Sequence, residues 1–155
     1  MGLEIERKFL VDRQKWDAVP KPHGMHFRQG YILNSKQQTV RIRVDDENGY
    51  INLKSALDAV SRHEFEYEIP LEEARQILDL FAKTQIQKIR YEIEVGGKIW
   101  EVDVFSGDNE GLIVAEIELD DANESFEKPD WTTEEVTSDG RYTNAALINY
   151  PFKDW

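Results

Sequence analysis

The chain contains no cysteine, so it has neither a disulfide framework nor a thiolate metal site. Histidine is scarce, and His23, His26 and His63 share no ligand spacing, which removes an imidazole centre and leaves them as surface or packing residues. No apolar run approaches the roughly 20 residues of a membrane-spanning helix. The first residues are charged from Glu4 onward and show no signal-peptide core, so a cytoplasmic protein without a membrane partner is expected. Basic residues are outnumbered, 19 Lys and Arg against 31 Asp and Glu, a net charge of −12 that argues against a nucleic-acid duplex as partner. Neither G-x-x-x-x-G-K-[ST] nor G-x-G-x-x-G occurs, which excludes the usual glycine-rich phosphate loops. There is no repeat, linker or low-complexity segment, and 155 residues suit a single domain over 1–155.

What the chain does have is alternation. Glu4, Glu6 and Lys8 sit two apart with Leu3, Ile5 and Phe9 between them, so one face of a strand carries charge and the other packs. The same pattern predicts strands near 26–33, 39–44, 50–54, 61–69, 85–95, 98–105 and 112–119, with Gly96-Gly97 as a tight turn and 45–49 as a hairpin loop. The period changes at Pro70, where Leu71, Ala74, Ile77, Leu78 and Phe81 predict a helix. Short helices are expected at 122–126 and 141–150. Eight strands with short loops predict a mainly β (α+β) fold: a closed eight-stranded antiparallel β-barrel, or tunnel, with a few peripheral helices.

Alternation assigns an inner set of charges. It comprises Glu4, Glu6 and Lys8; Arg41 and Arg43; Lys54; Arg62, Glu64, Glu66 and Glu68; Lys88 and Arg90; Glu101 and Asp103; Glu116 and Glu118. A single solvated sheet face gives the same alternation. Same-sign pairs at i, i+2 point elsewhere, because they repel unless counter-charges or bound ions meet them, and the opposite faces carry much of the aromatic content. The halves of the chain differ as well: residues 1–63 carry net +3 and residues 64–155 net −15, so the two signs meet in the fold. Clustered carboxylates without Cys or His favour hard cations such as Mg²⁺ or Mn²⁺, and clustered Arg and Lys favour phosphate. Together they describe a metal–polyphosphate site.

The ordered series Glu4-x-Glu6-x-Lys8, Arg41-x-Arg43, Lys54, Glu64-x-Glu66, Lys88-x-Arg90, Asp103 and Glu116-x-Glu118 resembles the CYTH superfamily, the triphosphate tunnel metalloenzymes. The likeness runs in register over about 3–119, and Glu134-Glu135-Val136-Thr137 with Arg141-Tyr142-x-Asn144 is similar to the C-terminal segment of compact bacterial members. Arg28-Gln29-Gly30-Tyr31 resembles the corresponding segment of bacterial inorganic triphosphatases. The resemblance implies an eight-stranded tunnel whose inward charges bind a small-molecule triphosphate and a divalent metal, Mg²⁺ or Mn²⁺. It implies that Lys8, Arg41, Arg43, Lys54, Lys88 and Arg90 hold phosphate, with Arg62 of matching parity and Tyr31 a further candidate contact. It implies that Glu4, Glu6, Glu64, Glu66, Asp103, Glu116 and Glu118 hold metal directly or through water. The expected chemistry is metal-assisted hydrolysis of tripolyphosphate, with Glu4 and Glu6 acting through the metal and Lys88 nearest the attacked phosphate. A homodimer is compatible with the family. Rival readings are a nucleoside or thiamine triphosphatase, an adenylyl cyclase of the same fold, a non-enzymatic polyphosphate-binding protein, and a lipocalin-like barrel, whose interior would be greasy.

Overall fold

The computed structural model describes residues 2–58 and 60–155. Strand β1 (Gly2–Val11) leads into a one-turn helix α1 (Arg13–Asp17), started by the Asp12 carboxylate accepting from the Lys15 N–H at 2.9 Å. Strands β2 (Met25–Asn34), β3 (Gln38–Val44), β4 (Gly49–Ala56) and β5 (Ser61–Ile69) form one antiparallel meander, and helix α2 (Leu71–Phe81) follows. Strands β6 (Gln85–Val95), β7 (Lys98–Phe105) and β8 (Ile113–Glu118) form a second meander. A short strand β9 (Thr132–Glu135) and helix α3 (Asn144–Asn149) complete the regular elements. The β6–β7 hairpin turns on Gly96 and Gly97, at φ 59° and 79°, both in the left-handed region that glycine enters without strain.

The two meanders join through β2 and β6, and β1 pairs with both β8 and β5, which closes a ring of eight strands. One edge of β1 takes β8, with Glu6 opposite Glu118 and Lys8 opposite Glu116. The other edge takes β5 over Gly2 to Ile5 and then β9 near Phe9 and Val11. The sheet therefore has nine strands where the sequence predicts eight. The extra one, Thr132-Thr133-Glu134-Glu135, is short and mostly exposed, and it has no apolar alternation to betray it. Two further expectations change. Residues 122–126 form no helix; they make a turn in which Asp121 accepts from the Asn123 N–H at 2.8 Å. The expected helix over 141–150 divides into a 3₁₀ turn, Gly140–Tyr142, and α3, because Thr143 is extended and its hydroxyl caps the Ala146 N–H at 3.1 Å.

The packing lies mostly outside the ring. Phe9, Trp16, Trp100 and Trp131 form an aromatic cluster on the outer faces of β1, β7 and β8. Ala74 and Leu78 of α2 cover Ile42 and Val44 of β3. The third cluster is internal. Ile86, Phe105 and Val114 are two residues from Lys88, Asp103 and Glu116 on the same strand faces, and Leu147 of α3 packs on them. The inner wall is thus charged through its middle and apolar at the end that α3 covers.

Candidate functional site

Antiparallel partners place their side chains on one face. The closed ring therefore turns the alternating charges of seven of its eight strands into a single cavity of about 200 Å³. Six cations line it, Lys8, Arg41, Arg43, Lys54, Arg62 and Arg90, together with Tyr31. Seven carboxylates line it, Glu4, Glu6, Glu64, Glu66, Glu101, Glu116 and Glu118. Lys88 and Asp103 lie behind this lining, locked together at 2.7 Å and almost inaccessible. Glu68 is exposed and does not line the cavity.

The charges are distributed by sector. On β6 and β7 they neutralise each other: Asp103 accepts from Lys88 Nζ at 2.7 Å and from Arg90 at 2.7 and 2.9 Å, and Arg90 also donates to Glu101 at 3.2 Å. Burial alone would raise the Asp103 carboxyl, but Arg90 and Lys88 hold it well below its ordinary range.

On β1 and β8 negative charge is in excess. Lys8 donates to Glu6 at 2.6 Å and stands 3.9 Å from Glu116. Lys8 and Lys54 hold Glu6 low against the effect of its burial. Its neighbour goes the other way: burial, then the charge of Glu6, pushes Glu116 up to about 7. Glu118 also rises to about 7 through burial and the charges of Glu4 and Glu64. Burial and Glu6 likewise raise Glu4. Lys54 stands 2.9 Å from Glu4 Oε1 as an ion pair, but out of line for a hydrogen bond.

On β2, β3 and β4 positive charge and free donors are in excess. Arg41 and Arg43 share Glu66, at 3.3 and 3.7 Å, and each keeps a buried Nε–H without a partner. Burial, then Arg41 and Arg90, lowers the Arg43 guanidinium to about 10. Its central carbon lies over Phe27, 4.4 Å from the ring centre.

These donors suit a hard divalent cation: every candidate ligand is a carboxylate oxygen, and Glu4, Glu116 and Glu118 are raised by burial and then by neighbouring carboxylates, a cost that a cation would relieve. Among the described residues no three carboxylates converge as a ready-made metal cluster, since most heads turn to a Lys, Arg or Asn.

Some lining residues escaped a reading based on charge. Asn52 is buried and donates to Glu64 and Glu66 at 2.8 and 3.0 Å; it shares the parity of Lys54 and could have been found that way. Thr39 shares the parity of Arg41. Glu101 was on the predicted inner face but not among the expected ligands. Thr143, Asn144 and Ala145 line the cavity from the tail, which no strand alternation could indicate.

Comparison with known proteins agrees with this architecture. The CYTH domain pattern matches residues 2–144, and the chain belongs to that family. It is similar to an inorganic triphosphatase of Acetivibrio thermocellus, 47% identical over 156 residues, spanning 100% of this chain and 99% of the relative. An inorganic triphosphatase of Nitrosomonas europaea is 34% identical over 148 residues, spanning 93% and 95%. A crystal structure of an inorganic triphosphatase superposes with a TM-score of 0.65 at 32% identity, covering 96% and 95% of the two chains. No helix among the described residues is long and apolar enough to cross a membrane.

Proposed function

We propose that this protein is a cytoplasmic, divalent-metal-dependent triphosphatase that hydrolyses inorganic tripolyphosphate to diphosphate and phosphate. The observation that carries this reading is the segregation of charge within one cavity, with excess carboxylate on β1 and β8 facing excess arginine and lysine on β3 and β4. A sensor of phosphate alone would have no use for the first sector. The lining holds six cations against seven carboxylates, so a polyanion entering alone would leave the cavity strongly negative. A divalent cation balances it and, when bound, supplies Lewis acidity toward phosphoryl oxygen and water. Glu4, Glu6, Glu116 and Glu118 would hold the cation, with Glu64, Glu66 and Asp103 available directly or through water; Mg²⁺ and Mn²⁺ both fit an all-oxygen set.

Arg41, Arg43, Lys54 and Arg62 bind and orient the phosphates, Lys8 and Arg90 complete the positive field, and Tyr31 offers its hydroxyl at the wall. Burial and Arg90 lower Lys88 to about 7; the negative charge of the deepest phosphate would favour its charged form, which then meets the charge that develops on the phosphoryl oxygens. The names of the relatives support tripolyphosphate as the substrate. So does the lining itself, in which Tyr31 is the one aromatic side chain among the described residues and no platform for a base is present. The test is phosphate release from tripolyphosphate, pyrophosphate, ATP, GTP and thiamine triphosphate with Mg²⁺, Mn²⁺ or EDTA. Tripolyphosphate turnover abolished by EDTA is expected; preference for a nucleotide, or cyclic product from ATP, would replace the reading with another member activity of the fold.

A further inference from the structure

Gln29 is fully buried in the middle of β2, yet neither its Oε1 nor its Nε2 has a hydrogen-bond partner. The register fixes where it lies. Its direct partners are Arg43 on β3 and Ile86 on β6, and its diagonal neighbours are Arg41 and Lys88, so it faces inward beside phosphate-binding candidates, in the layer just behind the cavity lining where Lys88 also lies. Tyr31, two residues on, lines the cavity, and Phe27, two residues back, lies beneath Arg43 and Arg90. The strand cannot retreat: at the adjoining Gly30 an added Cβ would come within 2.5 Å of the Ala82 Cβ, so the backbone is pressed against the end of α2.

Buried amides normally find partners, and an isolated one destabilises the fold. Here the exceptions are concentrated. Gln29, Arg41, Arg43 and Asn52, on three adjacent strands, hold five unpaired buried polar atoms, and three of these are N–H donors. The other two are the acceptors Gln29 Oε1 and Asn52 Oδ1; Oε1 can take one N–H, and the donors left over suit a ligand made of oxygen atoms. A neutral donor also has an advantage at this position. Arg43 is already lowered by burial and by the charges of Arg41 and Arg90, and an amide adds a hydrogen bond without adding to that repulsion.

Resting on the triphosphatase reading, we propose that Gln29 is a substrate-binding residue: its Nε2 donates to a non-bridging oxygen of the deepest phosphate, between Arg43 and Lys88, while its Oε1 takes the free Nε–H of Arg43. Charge develops on this phosphate in the transition state, so loss of the contact lowers kcat/KM, and the share of the bond already made in the ground state appears as a raised KM.

The test is Gln29→Met, which keeps length and removes both polar atoms, with Gln29→Glu as an isosteric second variant. The kcat/KM for tripolyphosphate with Mg²⁺ is expected to fall about tenfold or more in Gln29→Met, the worth of one hydrogen bond to a charged group, and further in Gln29→Glu, which sets a carboxylate against phosphate. The melting temperature of ligand-free Gln29→Met should equal or exceed that of wild type, and the stabilisation by tripolyphosphate should shrink. An unchanged kcat/KM overturns the assignment. So does a lowered kcat/KM accompanied by a comparable loss of ligand-free stability, since the amide is then a structural partner; if Gln29→Met does not fold, a wild-type kcat/KM in Gln29→Glu decides against it. Wild-type protein that does not turn over tripolyphosphate overturns the function itself and takes this assignment with it, an outcome visible before any variant is made.

Discussion

The β1–β8 sector and the β2–β4 sector of the tunnel are incomplete in opposite senses. In the first, carboxylates outnumber the cations that reach them, and Glu116 and Glu118 are pushed up to about 7. In the second, Arg41, Arg43 and Gln29 keep N–H groups that nothing accepts, and burial, then Arg41 and Arg90, lowers Arg43 to about 10. Between them β6 and β7 form a balanced block in which Lys88 and Arg90 meet Asp103 and Glu101. The difference teaches what kind of ligand the cavity is built for. A bare cation would relieve only the first sector and a bare anion only the second. A metal–polyanion complex meets both, and its binding is favoured by the like-charge repulsion within each sector.

Breaking the acidic sector should have the largest effect. Glu6→Gln removes a charge without changing shape, and at fixed Mg²⁺ phosphate release from tripolyphosphate is expected to fall about 10³-fold, the scale of losing a site's main electrostatic element, while circular dichroism stays unchanged. Near-wild-type turnover would remove Glu6 from the metal set. Breaking the basic sector comes next: Arg41→Ala and Arg43→Ala should each cost about 10–100-fold in kcat/KM, one or two charge-assisted hydrogen bonds, and should shrink the rise in melting temperature that tripolyphosphate with Mg²⁺ produces. A full thermal shift in either variant would place the phosphates elsewhere.

A pH titration of metal-free protein sharpens the comparison with a smaller effect. Glu116 has a folded-state value near 7 against an ordinary 4.5, so the folded chain binds a proton that the unfolded chain releases. Glu118 is raised in the same way, so through these two groups stability in EDTA should fall as the pH rises from about 4.5 to about 7. Glu116→Gln should flatten that slope, and a slope unchanged by the substitution would show that the repulsion lies elsewhere. The smallest effect belongs outside the tunnel. Arg7 holds Glu135 at 2.5 and 2.7 Å and ties β9 to β1, but both side chains are about one-third exposed. Glu135→Gln should cost about 0–1 kcal/mol and leave turnover untouched. Because the Arg7 contact lowers the Glu135 carboxyl, whatever stability it adds is present at neutral pH and fades as the pH falls through the carboxylate range.

The strands and their inward faces were legible in the sequence because charge and apolar residues alternate in eight segments, and a two-residue period leaves little freedom of face. That logic correctly grouped residues as far apart as Glu4, Arg41 and Glu116. It failed where its signal was absent. Strand β9 is polar on both sides, and its place is set by the free edge of β1 rather than by a pattern of its own. Asn52 and Gln29 face inward by parity, yet they carry no charge, so a pattern of charges does not mark them. Thr143 to Ala145 reach the cavity through the docking of α3, held by Leu147 and by Asn34 donating to the Ala145 carbonyl at 2.9 Å, which is a tertiary fact without local cause.

The seam of the ring has a kinetic consequence. Closure rests on β1 meeting β5 from Gly2 to Ile5, while on its other edge Leu10 pairs with Val114, more than a hundred positions along the chain. The two meanders can assemble from local hairpins, but β1 must wait for partners distant in sequence, and loop-closure entropy makes that step slow. Glu4, which faces Arg62 across the seam, meets it only when the ring shuts. Local opening at the same short seam would undo the site before it undid the sheet, so amide hydrogens from residue 3 to residue 5 should exchange earlier than those of the β6–β7 hairpin, and a ligand bridging the tunnel should slow them.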